Sequence, residues 1–584
     1  MSTYFATILI SVIIYVVVGT YIGAKVKGID DYFVANRRGS LFFLVGTIVA
    51  SCLSISTFTG QAGFIYDKNS AFVLVPGLLV CGYVYGALYF GRYIRRSRAL
   101  TVADYFGKRF DSRSVRIVAA LTVIVGVGFY LIAVSQALAL VISKVTPISY
   151  SQALIVAWAS YTSFTLHAGS RGVIVTDTMM FILILFVTFI AMYGIVSEHG
   201  GWFGSMDKLA NLASKPDLMA WHGMTGMGLE FETPADFLIW LVIIMVAWSF
   251  VTAISPWQAS RYLIAKNEHV VLRSACLAAI SVGVVQGMVY AIVPIINLRN
   301  PSIEPKDEVL IWAALNILTP FVGSLLLAGL VAAALSSAST FLSVIGFSVS
   351  HDLLRGNGAD DPSKLKFSRR VMLVGGIATL FASLAIEQNI FWLTYFAGTL
   401  FASAWGPVAF MSVWSRQITA KAAFWGITCG FSGNVIPKLL ATMNFIYLPV
   451  YLDPIVIGSV ASLASVLLVS SKTSVTTPEC EYRLSLLKVP AEEVKSKEAK
   501  RTLLYASAVG VFGIIVTILL LIFYVAPYQK ASASVDSDLD FNWFSGEALF
   551  ACAWTALFVF MSWLMRRGVQ SSYLPKPPST HSVL

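Results

Sequence analysis

Three groups of polar residues lie inside long apolar stretches of this chain, where water cannot satisfy them. Such placements are costly and mark pathways for ions or solutes. The first is Ala50-Ser51-Cys52-Leu53-Ser54-Ile55-Ser56-Thr57-Phe58-Thr59-Gly60, with five hydroxyls and a glycine in ten residues. Ser and Thr compete for backbone hydrogen bonds and glycine relaxes the chain. The pattern predicts a local unwinding that turns carbonyls toward a cation or a solute. Small-residue packing between helices gives the same composition, so from pattern alone both readings stand. The second group is Ala332-Ala333-Ala334-Leu335-Ser336-Ser337-Ala338-Ser339-Thr340. Ala333, Ser336 and Ser337 share a helix face, and Ser336, Ser339 and Thr340 repeat the spacing one step round. Neutral oxygens of this kind suit a hard monovalent cation and let it go again; packing is again the competing reading. The third is Asp177, within Val173-Ile174-Val175-Thr176-Asp177-Thr178. A carboxylate there either recruits a cation or stays protonated in a structural hydrogen bond.

The elements that must hold these groups are membrane helices. Of 584 residues, 57% are hydrophobic and 12% charged, with a mean hydropathy of +0.77; soluble domains carry about a quarter charged residues. A large soluble enzyme, a nucleic-acid binder and a fibrous protein are excluded. Apolar runs long enough to cross a bilayer fall at 4–23, 41–66, 72–91, 117–143, 149–167, 175–197, 235–253, 272–296, 321–350, 369–386, 390–413, 421–442, 452–470, 503–526 and 546–565. The fold class is therefore all-α polytopic membrane protein with about fifteen transmembrane helices. The alternation of barrel strands is absent. No Lys or Arg precedes the first run, so it reads as an uncleaved helix rather than a secretory signal.

The net charge of +11 does not point to nucleic acid, because the basic residues sit in short loops. Of 41 Lys and Arg, 33 fall in alternate loops on one side of the expected helices. The other eight are Lys68, Lys144, Lys208, Lys215, Arg299, Lys306, Lys438 and Lys530. The positive-inside rule then places the N-terminus outside and the C-terminus in the cytoplasm of a multi-pass cell-membrane protein. The six cysteines have no metal-ligand spacing and read as packing residues or free thiols. The expected layout is a transmembrane domain over 1–470, a cytoplasmic loop over 471–502, two extra helices over 503–567 and a Ser/Pro-rich tail over 568–584. In the loop, Glu493 and Lys497 are spaced as an i,i+4 pair on a short polar helix.

A second interruption stands at Ser255-Pro256, near the end of the seventh helix. It lies five helices after the hydroxyl-rich second helix. Paired broken helices in two halves point to a transporter site built on inverted repeats. Helices 2–6 and 7–11 would form the halves, with one extra helix before them and four after.

Seven motifs along about residues 4–470 carry a resemblance. They are Asp31-Tyr32-Phe33 with Arg37, Leu53-Ser54-x-x-Thr57-Phe58, and Thr101-Val102-Ala103-Asp104-Tyr105 with Arg109-Phe110. Thr176-Asp177, Arg261-Tyr262-Leu263, Ala333-x-x-Ser336-Ser337, and Pro407 followed by Trp414-x-Arg416 and Gly426 complete the set. In this order the chain resembles the sodium:solute symporter family, carriers of sugars, proline, pantothenate and sialic acid. The resemblance implies a LeuT-like inverted-repeat fold and co-transported sodium. It places one sodium on the carbonyls of Ala50, Leu53 and Ala333 and the hydroxyls of Ser336 and Ser337. It leaves room for a second on Asp177, Ser336, Ser339 and Thr340. It also implies solute contacts at Ser54, Ser56 and Thr57, with Trp257 as an aromatic inner gate. Gln136 joins them as a lining residue, while Trp392 and Tyr395 read first as interfacial aromatics. Met180 stands near a position where many members have glutamine, and no arginine inside the fourth helix is placed to clamp an acidic solute.

The expected function is sodium-driven import of a small polar organic solute by alternating access. A transporter-like solute sensor is one alternative, motivated by the last two helices and the 471–502 loop. Proton coupling through Asp177 is another. No HExxH, nucleophile elbow or paired-carboxylate arrangement supports an enzyme. The expected partners are the solute, sodium and the lipid bilayer, with no nucleic acid; assembly into a homo-oligomer is left open.

Overall fold

Backbone groups without water must bond within their own segment, and this chain meets that demand with helices. The computed structural model describes residues 3–26, 28–74, 76–354, 362–386, 389–532 and 541–574; among them there is no strand, only one isolated bridge between Gly39 and Ala265. The long helices run in order α1 (Thr3–Gly23), α2 (Leu41–Cys52 and Thr57–Asp67), α3 (Ser70–Ser97) and α4 (Arg113–Val145). Tyr150–Glu198 is one helical run divided at Gly169, where φ is 57°; α5 precedes that kink and α6 follows it. Next come α7 (Pro234–Ile264), α8 (Glu268–Leu298), α9 (Pro320–Leu353), α10 (Pro362–Ala385) and α11 (Ile390–Trp414). The chain ends with α12 (Ala420–Thr442), α13 (Pro454–Lys472), α14 (Ser496–Ala531) and α15 (Gly546–Tyr573).

Twelve helices among the described residues are long and apolar enough to cross a membrane, thirteen with the bent α2 counted as one span. The segments expected at 149–167 and 421–442 are helical but are not among these. Among the described residues twelve or thirteen thus pass by length and apolarity, and the expected count of about fifteen is not confirmed. Two further expectations are corrected. The last helix continues through Tyr573, which is fully buried, beyond the point where a tail was expected to begin; residues 575–584 lie outside the described ones. The Glu493–Lys497 pair does not share a helix, because Ala491–Glu493 is a separate short turn and α14 starts at Ser496. Glu493 instead accepts the Glu268 N–H at 3.2 Å.

The two broken helices open the two halves. In α2 the two segments meet at 54°. In α7 the chain turns at Ser255 (φ −57°, ψ 149°), and Pro256 restarts the helix without a donor for the preceding turn. α2 packs between α6, α8 and α9, and α7 packs on α3 and α11. The α14–α15 hairpin lies against α3 and α8, outside the two halves.

Close approach of α2 to α6 depends on Gly46. A Cβ added there would stand 2.4 Å from Thr178 Oγ1 and 2.8 Å from its Cα, so backbone must shift. We expect Gly46→Leu to cost about 1–3 kcal/mol by overpacking, read as a lower thermal midpoint. Gly128→Ala, with nothing within 4 Å of an added Cβ, is expected to leave the midpoint unchanged. Equal effects from the two would contradict this packing.

Candidate ion and solute site

The break in α2 exposes backbone oxygens. Leu53 takes φ −74°, ψ 64°, outside the helical region. The Ser54 N–H then donates to Cys52 O at 2.8 Å instead of to Ala50. The Thr57 N–H likewise donates to Ser54 O at 2.9 Å instead of to Leu53. The carbonyls of Ala50 and Leu53 are among those that lose their ordinary helical donors here. The unwinding expected within the 50–60 hydroxyl run falls at Leu53–Ser54. An added Cβ at Gly60 would meet Phe391 N at 2.8 Å, so that glycine serves close packing against the start of α11.

α9 passes this break unbroken, and Ser336, Ser337, Ser339 and Thr340 are all buried on it. Ser337 Oγ has no hydrogen-bond partner. Its neighbour Ser336 donates to Asp177 Oδ1 at 2.8 Å. Asp177, fully buried on α6, also accepts from Thr47 Oγ1 at 2.6 Å. Arg261 completes the group: its Nη2 stands 3.5 Å from Asp177 Oδ2 and donates to Thr340 Oγ1. The sequence reading counted Arg261 as a loop charge. The structure places it on the second segment of α7, 5% exposed.

A small cavity lies beside the break, lined by Ser56, Gln61, Phe72, Trp248, Phe391 and Thr394 among others, with no charged side chain in its wall. Its free volume of about 20 Å³ holds a single water and not a larger molecule, so the fold is closed here. The Tyr130 hydroxyl lies 3.3 Å from Ser56 Oγ. Trp257 is 1% exposed, and its ring packs edge-on against Tyr130, Phe341 and Phe401. Tyr290 donates to Gln61 Oε1 at 2.5 Å.

The expected solute residues thus divide. Ser56 lines the cavity, and Ser54 and Thr57 are buried on either side of it in the chain. Trp257 is not in the wall of this cavity; it packs edge-on against Tyr130, whose hydroxyl meets Ser56. Gln136 is not brought to this cavity; its Nε2 donates to Ser383 O at 3.3 Å and Ile386 O at 2.9 Å at the end of α10. Tyr395 lines the cavity and donates to Asp453 Oδ2 at 2.9 Å. Thr47, Tyr130 and Arg261 were missed as site residues. The Arg261-Tyr262-Leu263 motif was the available signal for the last.

The cavity is shut off on the face that carries Asp67 and Lys306. Phe64 and Phe391 stack at 4.7 Å between ring centroids, with Trp240 5.3 Å from Phe64. Beyond them lies a wider vestibule of about 290 Å³, lined by Asp67, Lys68, Glu230, Glu304, Lys306 and Asp307. Asp67 pairs there with Lys306 at 2.5 Å and Lys215 at 3.6 Å. On the basic face, Thr101 donates to Asp352 at 2.9 Å, and Asp104 pairs with Lys108 at 2.9 Å. Arg96 and Glu268 form a bidentate pair at 2.5 and 2.7 Å.

With this geometry in hand, similarity to known proteins is informative. The family model described as "Sodium:solute symporter family" matches residues 32–430. A sodium/pantothenate symporter of Haemophilus influenzae is 25% identical over 455 residues, covering 75% of this chain and 92% of that protein. A sodium/proline symporter of Salmonella typhimurium is 24% identical over 442 residues, covering 71% and 84%. A solved structure of a sodium-coupled sialic acid symporter, substrate-bound and outward-open, superimposes with a TM-score of 0.67 at 19% identity, covering 81% of this chain and 98% of that one.

The vestibule also gives a pH dependence. Burial pushes the Asp307 carboxyl up from 3.8 to about 6, with the Ile390 N–H working against it. A carboxyl raised in the folded state favours folding when protonated. Its contribution is complete below about 3.8 and is lost as pH rises through about 6. Asp307→Asn keeps an acceptor for Ile390 and carries no charge. We expect the variant to melt above wild type at pH 7.5 and to match it near pH 4. A constant offset at both pH values would contradict this.

Proposed function

The chain belongs to the sodium:solute symporter family, and on that premise we propose that it imports a small polar organic solute with sodium bound where α2 breaks against α9. One observation carries the ion site: the carbonyls of Ala50 and Leu53 lack their helical donors, and the buried Ser337 hydroxyl has no partner. With Ala333 O and Ser336 Oγ they form an all-oxygen donor set for a hard monovalent cation. Among the described residues no group of three His, Cys, Asp or Glu could hold a metal ion, and a transported ion needs no such grip.

Sodium in this site would tie the broken helix to α9 and fix Ser54, Ser56 and Thr57 for the solute. The uncharged cavity wall supports a solute that is neutral or balanced in charge. Two barriers then alternate. The Phe64–Phe391 stack would open toward the vestibule, and the Trp257 ring cluster toward the basic face. The distribution of Lys and Arg supports placing the basic face in the cytoplasm, with the vestibule outside. One sodium moving down about 100 mV supplies roughly 2.3 kcal/mol, about fiftyfold accumulation before any sodium gradient is added. The transport unit would span residues 1–470, with α14 and α15 bracing α3 and α8 from outside.

Thermal unfolding in sodium against potassium, at equal ionic strength, tests this reading. A ligand that binds only the folded chain at a hundred times its Kd adds about 2.7 kcal/mol. We expect sodium to raise the midpoint of wild type and Ser337→Ala to lose that shift while melting like wild type in potassium. Identical wild-type curves in saturating sodium and potassium would overturn the proposal.

A further inference from the structure

We propose that the α14–α15 hairpin carries a headgroup site for an anionic phospholipid, formed where its two helices reach the basic face. The site stands apart from the ion and solute pathway and does not depend on what the chain transports.

Several arginines on the basic face are engaged inside the fold. Arg96 is paired with Glu268, and Arg92 donates to Leu88 O at 2.8 Å and Ser572 Oγ at 2.9 Å. Arg95 donates to Ala265 O at 2.5 Å, Arg109 to Ser412 O at 2.5 Å, and Arg273 to Glu498 at 2.6 Å. The hairpin is different. Lys497, Lys500 and Arg501 on α14, and Arg566 and Arg567 on α15, are all exposed. Among the described residues no carboxylate pairs with Lys497, Lys500, Arg566 or Arg567. Arg501 has only Glu498 at 3.7 Å, a carboxylate that Arg273 already holds. Lys497 stands three residues before Lys500 and four before Arg501, spacings at which like charges on a helix repel.

Arg566 donates to Ser507 Oγ, and a Cβ added at Gly510 would stand 3.1 Å from Ser562 Cβ, so the basic ends of the two helices lie side by side. Deeper in the membrane the same stripes turn apolar and stay exposed. Leu504, Val511, Ile515 and Ile518 continue the line of Lys497 and Arg501, and Trp563 and Phe560 continue that of Arg567. The Arg567 guanidinium lies 5.3 Å over the Trp563 ring. An apolar stripe over the hydrocarbon, an indole at the boundary and a basic cluster beyond it match an acyl chain with an anionic headgroup. The long Lys and Arg stems can lie along the chain while their charges reach the phosphate. A soluble anion fits only the basic half of this surface. The same turns of α14 also hold α8, because Thr502 Oγ1 meets Arg273 Nε and His269 Nδ1, each at 3.0 Å. A lipid that offsets the repulsion among Lys497, Lys500 and Arg501 therefore steadies that junction.

Thermal unfolding of the full chain in detergent, with phosphatidylglycerol or phosphatidylcholine of the same acyl chains added at equal concentration, tests the site. We expect phosphatidylglycerol to give wild type the higher midpoint. Replacing Lys497→Gln, Lys500→Gln, Arg501→Gln and Arg567→Gln together is expected to abolish that difference without lowering the midpoint in phosphatidylcholine. Arg38→Gln, Arg416→Gln and Lys421→Gln together remove exposed charge elsewhere on the basic face and are expected to keep the difference. Glycerol 1-phosphate at the same concentration is expected to give no shift. Equal wild-type midpoints in the two lipids would overturn the proposal, as would equal losses from the two sets of substitutions. A shift from glycerol 1-phosphate as large as that from phosphatidylglycerol would also overturn it, in favour of a soluble anion. Should the hairpin variant fail to fold, native mass spectrometry of wild type decides: preferential retention of phosphatidylglycerol supports the site, and equal retention of both lipids contradicts it.

Discussion

A helix that stops hydrogen-bonding inside a bilayer is the constraint on which the rest of this structure depends. At Leu53–Ser54 backbone oxygens, those of Ala50 and Leu53 among them, lose their helical donors. Such irregular backbone survives at membrane depth only where protein or a polar cavity surrounds it. Here the surroundings are α6, α8 and α9, and the α9 hydroxyls are not spent on these carbonyls: Ser336 donates to Asp177 and Ser337 Oγ has no partner. In the reading proposed above, a monovalent cation would satisfy these oxygens and leave again, turning a folding liability into a coupling device.

The remaining features follow from holding that break in place while letting the two halves move. Gly46 brings α2 into backbone contact with α6, and Gly60 brings its second segment against α11. Thr47, one residue from that first contact, reaches Asp177. Above the break, aromatic stacking closes the cavity without polar bonds that would be costly to break in a dry site. Trp257 sits among rings that meet edge to face, those of Tyr130, Phe341 and Phe401. Apart from the buried Arg261–Asp177 contact, the charged pairs named above lie farther out, at the vestibule and on the basic face.

Much of the site could be read from the sequence because its residues are unusual where they occur. Five hydroxyls in ten residues announce a disturbed helix, and a lone Asp177 in an apolar run announces a polar cluster. What could not be read is partnership across long chain separations. Arg261 lies after a proline break near the end of a helix, where it resembles any loop charge; only the fold brings it 84 residues back to Asp177. Gln136 shows the same difficulty: a glutamine in an apolar helix looks functional, and only the fold shows its Nε2 meeting the carbonyls at the end of α10, away from the cavity beside the break. Helix boundaries were clear where apolar runs are pure, whereas 149–167 and 421–442 carry enough polar residues to fall outside the apolar spans.

The central claim is that sodium joins the broken α2 to α9. Backbone amide exchange across residues 48–62, followed in sodium and in potassium, reads that junction directly. The account predicts slower exchange in sodium for wild type, confined to this segment and to α9 around Ser337, and no slowing for Ser337→Ala. Equal exchange of wild type in both cations at saturating concentration would contradict it.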